Sequence, residues 1–202
     1  MKIFQDSAPI FFHLLLLLQL FVHSASLPTH HCPNCARFES MIRHMGRLQQ
    51  LSRTLHGLTE SELNIFKLSD YKLDHLPKMD HAAAHLYSVK PAEALSQLYL
   101  DVRAFELHTE WLKTAREKFS LEYAPNTLEG ASIYLQHVSG LLSTALKQNN
   151  VEILQPPTPS FPPASTSFDV VRFSIEVSEQ LRSFCDWSKR VLHHLKSQCR
   201  CL

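Results

Sequence analysis

The sequence predicts an all-α, long-chain four-helix bundle, and three observations carry that expectation. Four long stretches repeat apolar residues at three-and-four spacing, the period of a helix with one buried face. The 202 residues hold only four glycines. That leaves little for phosphate-cradling loops, hairpin turns or close backbone approaches, and it argues against Rossmann, P-loop and β-rich folds. The connections run long, short, long, the pattern of an up-up-down-down bundle with two crossover loops. Composition agrees, since 45% apolar and 19% charged side chains describe an ordinary globular domain. A net charge of +1 supplies no whole-molecule field for gripping nucleic acid or anionic lipid.

The chain opens with a segment that reads as an address rather than a fold. After Lys2, residues 10–22 are apolar except for His13 and Gln19, and small residues follow at Ser24, Ala25 and Ser26. This is the pattern of a secretory signal cut after Ser24 or Ser26, and it is too short to span a bilayer. Residues 1–24 are therefore read as a signal peptide and 25–202 as one helical domain, secreted and extracellular.

The first helix is expected over about 36–58, with Phe38, Met41, Met45, Leu48 and Leu55 inward and Arg43, Arg47 and Gln50 outward. The second starts at Pro91, suited to a first helical position, and continues through Leu95, Leu98, Val102, Phe105 and Leu112 to about Lys118. Asn126 and Glu129 suggest a capping box for the third, whose stripe is Leu128, Ala131, Leu135, Val138, Leu142 and Ala145. The fourth begins near Ser167, repeats through Val170, Phe173, Val177, Leu181, Phe184, Val191 and Leu195, and ends by Gln198.

About eight residues separate the second and third helices, which suits antiparallel neighbours, whereas about thirty and about nineteen fill the other two gaps. The last gap holds Pro156, Pro157, Pro159, Pro162 and Pro163. At about 3.1 Å per residue, a polyproline-like segment of that length travels the whole bundle and starts the next helix beside the previous one, in parallel.

That topology sets the start of the first helix beside the end of the fourth. Cys32 and Cys35 should then meet Cys199 and Cys201 in two bridges of unspecified pairing, in a compartment that oxidises thiols. Cys185, beside Phe184, is left as a buried thiol. A zinc reading of His30, His31, His193 and His194 with these cysteines loses to oxidation, because a disulfide supplies no thiolate. His81 and His85 have helical metal spacing without the glutamate of an HExxH site. No metal and no cofactor are expected.

Catalytic patterns are missing from the sequence: there is no GxSxG elbow, phosphate loop or aromatic-flanked carboxylate pair, so no enzyme is expected. Asn34, Asn126, Asn149 and Asn150 lack the Ser or Thr that N-glycosylation requires. A helical body of this kind acts by presenting surfaces.

Four segments sharpen that reading: Leu73-Asp74-His75-Leu76-Pro77, Glu110-Trp111-Leu112-Lys113-Thr114-Ala115, Leu154-Gln155-Pro156-Pro157, and Asp186-Trp187 with Arg190 three residues on. Their order and spacing resemble the interleukin-6 type of long-chain helical cytokines over most of the chain beyond about residue 70. The resemblance implies a secreted ligand, monomeric when free, that joins a ligand-specific alpha receptor to the shared receptor glycoprotein 130 and triggers JAK/STAT signalling. It implies three contact surfaces. Leu76, Pro77 and Met79 with Arg190 would meet the alpha receptor. Arg43, Arg47 and Gln50 with Ile133, His137 and Thr144 would meet the shared receptor. Phe168 stands where the family places an exposed tryptophan that anchors a second shared-receptor copy, so one aromatic replaces another there. Lys189, Arg190, His193, His194, Lys196 and Arg200 add a basic end able to steer an acidic partner. Another cytokine of the same type, or a secreted helical carrier of lipid or metal, are the competing functions.

Overall fold

A computed structural model describes residues 35–66, 73, 76–79, 90–121 and 125–199, all within the compact unit Pro33–Leu202. The expected signal segment, Cys32, Cys201, Arg200, His30, His31, His81 and His85 lie outside the described residues. Among the described residues there are five helices and no strand: α1 (Cys35–Ser52), α2 (Glu60–Phe66), α3 (Pro91–Lys118), α4 (Pro125–Gln148) and α5 (Ser167–Gln198).

Helix α1 stops six residues before the expected 58. Its last apolar stripe residue, Leu55, is nonetheless fully buried in the turn that follows. The Leu55 carbonyl accepts a 2.5 Å bond from Arg116 Nη2, and Gly57 turns the chain at φ 72°. A left-handed backbone is cheap only for glycine.

The short α2 lies in the first long gap, where the sequence predicts a connection. Its signal is a capping box that the sequence spells out: Glu62 Oε2 accepts from Thr59 N–H at 2.8 Å while Thr59 Oγ1 accepts from Glu62 N–H at 3.4 Å.

Pro91 opens α3 as expected. Helix α4 departs by one residue, because Pro125 rather than Asn126 takes the first position. Asn126 and Glu129 thus sit in the first turn, and the expected box does not form there. Both α3 and α4 end in Schellman turns. Leu121 N–H bonds Arg116 O at 3.1 Å around Ser120 at φ 51°, and Val151 N–H bonds Leu146 O at 3.0 Å around Asn150 at φ 53°. Helix α5 starts from a complete capping box between Thr166 and Asp169.

The apolar stripes form one core. Met41, Met45, Leu48, Val102, Phe105, Leu135, Leu142, Leu181 and Phe184 are fully buried, with the Phe105 and Phe184 rings 5.0 Å apart. Helix α1 packs against α4 and α5, and α3 packs against the same two. The contacts fix which ends meet. Glu39 pairs with Lys196 at 2.6 Å, Ser178 bonds Ser52 O, and Arg37 bonds Gln148 at 2.6 Å. At the end where Ser178 meets Ser52, Arg116 also bonds Ser174 at 3.1 Å.

One expectation changes here. The proline-rich crossing is expected to start the next helix beside the previous one, yet α5 packs on α1 and α3. A connection of this length reaches the far corner of a bundle as readily as the near one.

The proline-rich segment is docked along its course. Phe161 stacks on Trp111 at 5.0 Å and 5°, and meets His108 edge-on at 5.2 Å, while Pro159 is buried. The first crossover is tied down too. Leu73 N–H bonds both Glu176 carboxylate oxygens at 2.8 and 2.9 Å.

The cysteines depart from the expected staple. Cys35 is disulfide-bonded, but Cys199 carries a thiol, so the two bridges expected among four cysteines do not both form. Bonding requires Cβ atoms about 3.5–4.5 Å apart. Meeting ends do not bring every cysteine pair into that geometry. Cys185 is a buried thiol as expected, and burial pushes its ionisation far above the ordinary range.

Candidate functional site

Three surface regions gather the residues singled out in the sequence. The first lies where the first crossover meets the C-terminal half of α5. A pocket of about 390 Å³ is lined by Gln49, Met79, Arg182, Asp186, Trp187 and Arg190, among others. Met79 and Arg190, distant in sequence, therefore share one site. Pro77 lies at intermediate exposure beside it in the chain, but Leu76 is only 5% exposed and belongs to the core. The correction has a simple cause. Leu73 and Leu76 are the apolar residues that pin the crossover to the bundle, so Leu76 positions Met79 rather than meeting a partner.

Trp187, which sits between Phe184 and Val191 on the apolar side of α5, is half-buried and lines the pocket. It is the apolar anchor that sequence reasoning missed. Its position between Phe184 and Val191 concealed the fact that the stripe there is wider than the core.

The basic end is less cationic than the sequence suggests. Arg190 pairs with Asp186 at 2.8 Å, Lys189 bonds Gln49 at 2.6 Å, and Lys196 pairs with Glu39 at 2.6 Å. The Arg190–Asp186 pair spans one helical turn on an exposed face, where such pairs contribute little. Arg190 can thus exchange Asp186 for a partner carboxylate at small cost, and its guanidinium can hold that carboxylate with two hydrogen bonds.

The second region spans α1 and α4. Arg43, Arg47 and Gln50 are exposed on α1, and Ile133, His137 and Thr144 are exposed on α4. The structure brings the two helices together through His137 and two rings that sequence reasoning did not select, His44 and Tyr134. His44 lies 5.6 Å from Tyr134 and 5.5 Å from His137. The available signal was their spacing: Tyr134 and His137 are three apart on α4, off the apolar stripe. Burial, then the charges of His137 and Arg43, holds the His44 imidazole below its ordinary pKa. Ile133 is 44% exposed, an isolated apolar contact beside these rings. Thr144 turns its hydroxyl to Gly140 O at 2.8 Å, so it presents mainly its methyl.

The third region is the start of α5. Phe168 is 52% exposed, stacked on Phe66 of α2 at 4.9 Å and 30°, with the Arg172 guanidinium 5.8 Å from its ring centre. The ring sits in the first helical turn rather than before it, so it is not the hydrophobic staple that a residue preceding the cap would form. Asp169, held below the ordinary carboxylate range by hydrogen bonds from Thr166, fixes the turn that carries it.

No described helix is long and apolar enough to cross a membrane. A comparison with curated proteins gave no match. The family model described as Interleukin 11 matches residues 28–199, which takes in all five helices and all three regions. Such a span carries the resemblance from the general long-chain class to one branch of it, and a cytokine branch leaves the enzyme and carrier readings without support. The chain belongs to the interleukin-11 family of cytokines.

Proposed function

We propose that the chain is a secreted cytokine that bridges a ligand-specific alpha receptor and the shared receptor glycoprotein 130, and so activates JAK/STAT signalling without a chemical step. Residues 1–24 direct secretion, and the free ligand is a monomer. The four long helices are read as an up-up-down-down bundle. The meeting of the α1 start with the ends of α4 and α5, and of the α3 end with the α5 start, supports this reading.

The observation that carries the proposal is the pocket uniting Met79, Trp187 and Arg190. It combines an aromatic anchor, a flexible thioether and an arginine, the side chains that dominate binding energy at interfaces. The alpha receptor docks there, with Pro77 at the rim and Leu76 holding the crossover in place. Glycoprotein 130 meets Arg43, Arg47 and Gln50 of α1 with Ile133, His137 and Thr144 of α4. A second copy closes on Phe168, whose ring stands ready because α2 and the capping box hold it outward.

STAT phosphorylation in cells bearing both receptors tests this. Arg190→Ala loses alpha-receptor binding and signalling together. Phe168→Ala keeps alpha-receptor binding and loses signalling. If both variants fold and signal like the parent protein, the assignment is wrong.

A further inference from the structure

We propose that Thr158 is an acceptor for an O-linked N-acetylhexosamine, added by a glycosyltransferase of the secretory route. The encounter with that enzyme rests on the reading of the chain as secreted; the fitness of the site does not. The twelve residues 156–167 hold five prolines and five serines or threonines. That is the composition of segments that carry O-linked sugars. Composition selects none of the five hydroxyls, but the structure does.

An enzyme that modifies a side chain within a chain must grip the flanking backbone, which a helix has already committed to its own hydrogen bonds. Thr114, Thr144, Ser183 and Ser197 are exposed yet lie in helices, and each donates its hydroxyl to a carbonyl one turn back at 2.7 to 3.2 Å. In the proline-rich segment, Thr166 and Ser165 belong to the cap of α5, both bonding the Asp169 carboxylate, and Ser167 is the first residue of that helix.

That leaves Thr158 and Ser160. Both are exposed, no hydrogen bond engages either hydroxyl, and residues 151–165 form neither helix nor strand. Their neighbours separate them. Thr158 stands between Pro157 and Pro159. The ring of a following proline disfavours the helical backbone and holds the residue before it extended. Pro157 is exposed and Pro159 is buried, so the chain is pinned just beyond Thr158 without covering it. Ser160 instead precedes Phe161, whose ring is stacked on Trp111 at 5.0 Å, and a groove closing over Ser160 has to lift that ring.

The place on the molecule suits a carbohydrate. Helix α3 holds the segment down through His108 and Trp111 against Phe161, and through Lys118 Nζ donating to Ala164 O at 3.4 Å. None of the three surface regions uses α3, so a hydrated sugar there leaves all of them open. In the transfer, Thr158 Oγ1 bonds the anomeric carbon of a nucleotide-activated N-acetylhexosamine as the bond from that carbon to the diphosphate breaks. The nucleoside diphosphate leaves with the electron pair, and the threonine proton passes to a base of the transferase.

The test incubates the purified, folded chain with nucleotide-activated N-acetylgalactosamine and a Golgi membrane extract. Intact mass reads the uptake, and electron-transfer fragmentation locates the sugar. The expected result is an N-acetylhexosamine on Thr158 that is lost in Thr158→Val, partly restored in Thr158→Ser, and kept in Ser160→Ala and Thr144→Val. Thr158 is exposed and unbonded, so its replacement leaves the fold intact, which circular dichroism checks. The chain recovered from the medium of animal cells should carry its sugar at the same residue. A chain retained bare inside the cells, while the purified chain is modified, faults the secretion reading and upholds the site. The proposal is overturned if the folded parent takes up no sugar, if Thr158→Val takes up as much as the parent, if the sugar maps to Ser160 or to a helix instead, or if the secreted chain is bare.

Discussion

The two halves of α5 prepare their surfaces by opposite means. At its start, backbone chemistry does the work: Thr166 and Asp169 exchange hydrogen bonds across the first turn, and the ring of Phe168 is held outward against Phe66. Toward its end, side chains do it: Arg190 leans on Asp186, Lys189 reaches Gln49, and Trp187 shares a pocket with Met79 from a distant crossover. An apolar anchor keeps its contact area only if its backbone is fixed. A charged one needs only a weak local partner that it can leave. One helix can therefore offer a rigid apolar contact and an adaptable polar one, provided that its middle is locked into the core.

Removing that lock breaks the comparison altogether. Phe184→Ala deletes the ring facing Phe105 and should cost about 3–5 kcal/mol of stability, read by urea unfolding. Both surfaces should fail together, and a variant that unfolded normally yet lost only one would contradict the shared-lock account.

Phe168→Ala separates the two halves. Loss of at least about 2 kcal/mol in shared-receptor affinity is expected, with the unfolding midpoint almost unchanged. Surface plasmon resonance against each receptor distinguishes this from a general defect. At the other end, Arg190→Ala should weaken the alpha-receptor complex by about 1–2 kcal/mol with a shallower salt dependence. Arg190→Lys should recover only part of it, because an ammonium cannot hold a carboxylate bidentately.

The finest contrast is in pH. Thr166→Ala should destabilise by about 1 kcal/mol through loss of the cap. Asp169 has its folded pKa depressed, chiefly by the Thr166 hydroxyl, so its contribution is present above the ordinary aspartate value and is lost as pH falls through the folded one. The gap between parent and Thr166→Ala should thus narrow on acidification below about pH 4.

Much of the bundle was legible because burial writes itself into spacing. Pro91 and the stripe from Leu128 to Ala145 sit where three-and-four periodicity puts them, and α5 ends at Gln198 as expected. The α2 helix was also spelled out, in the box from Thr59 to Glu62, but it is too short for a periodic signal. The site was less legible. Leu76 and Met79 look equivalent in a loop, yet one fills the core and the other lines a pocket. Trp187 looks like core and packs against it, yet also lines the pocket.

The sequence by itself determined the helical class, the core faces and the cytokine resemblance, because each depends on the order of apolar and polar residues along one chain. Only the tertiary structure decided which helices touch, which cysteine is bonded, and that His44 faces His137 across a helix pair. Those facts depend on distances between segments far apart in the chain. Long crossings leave such distances open until the core closes.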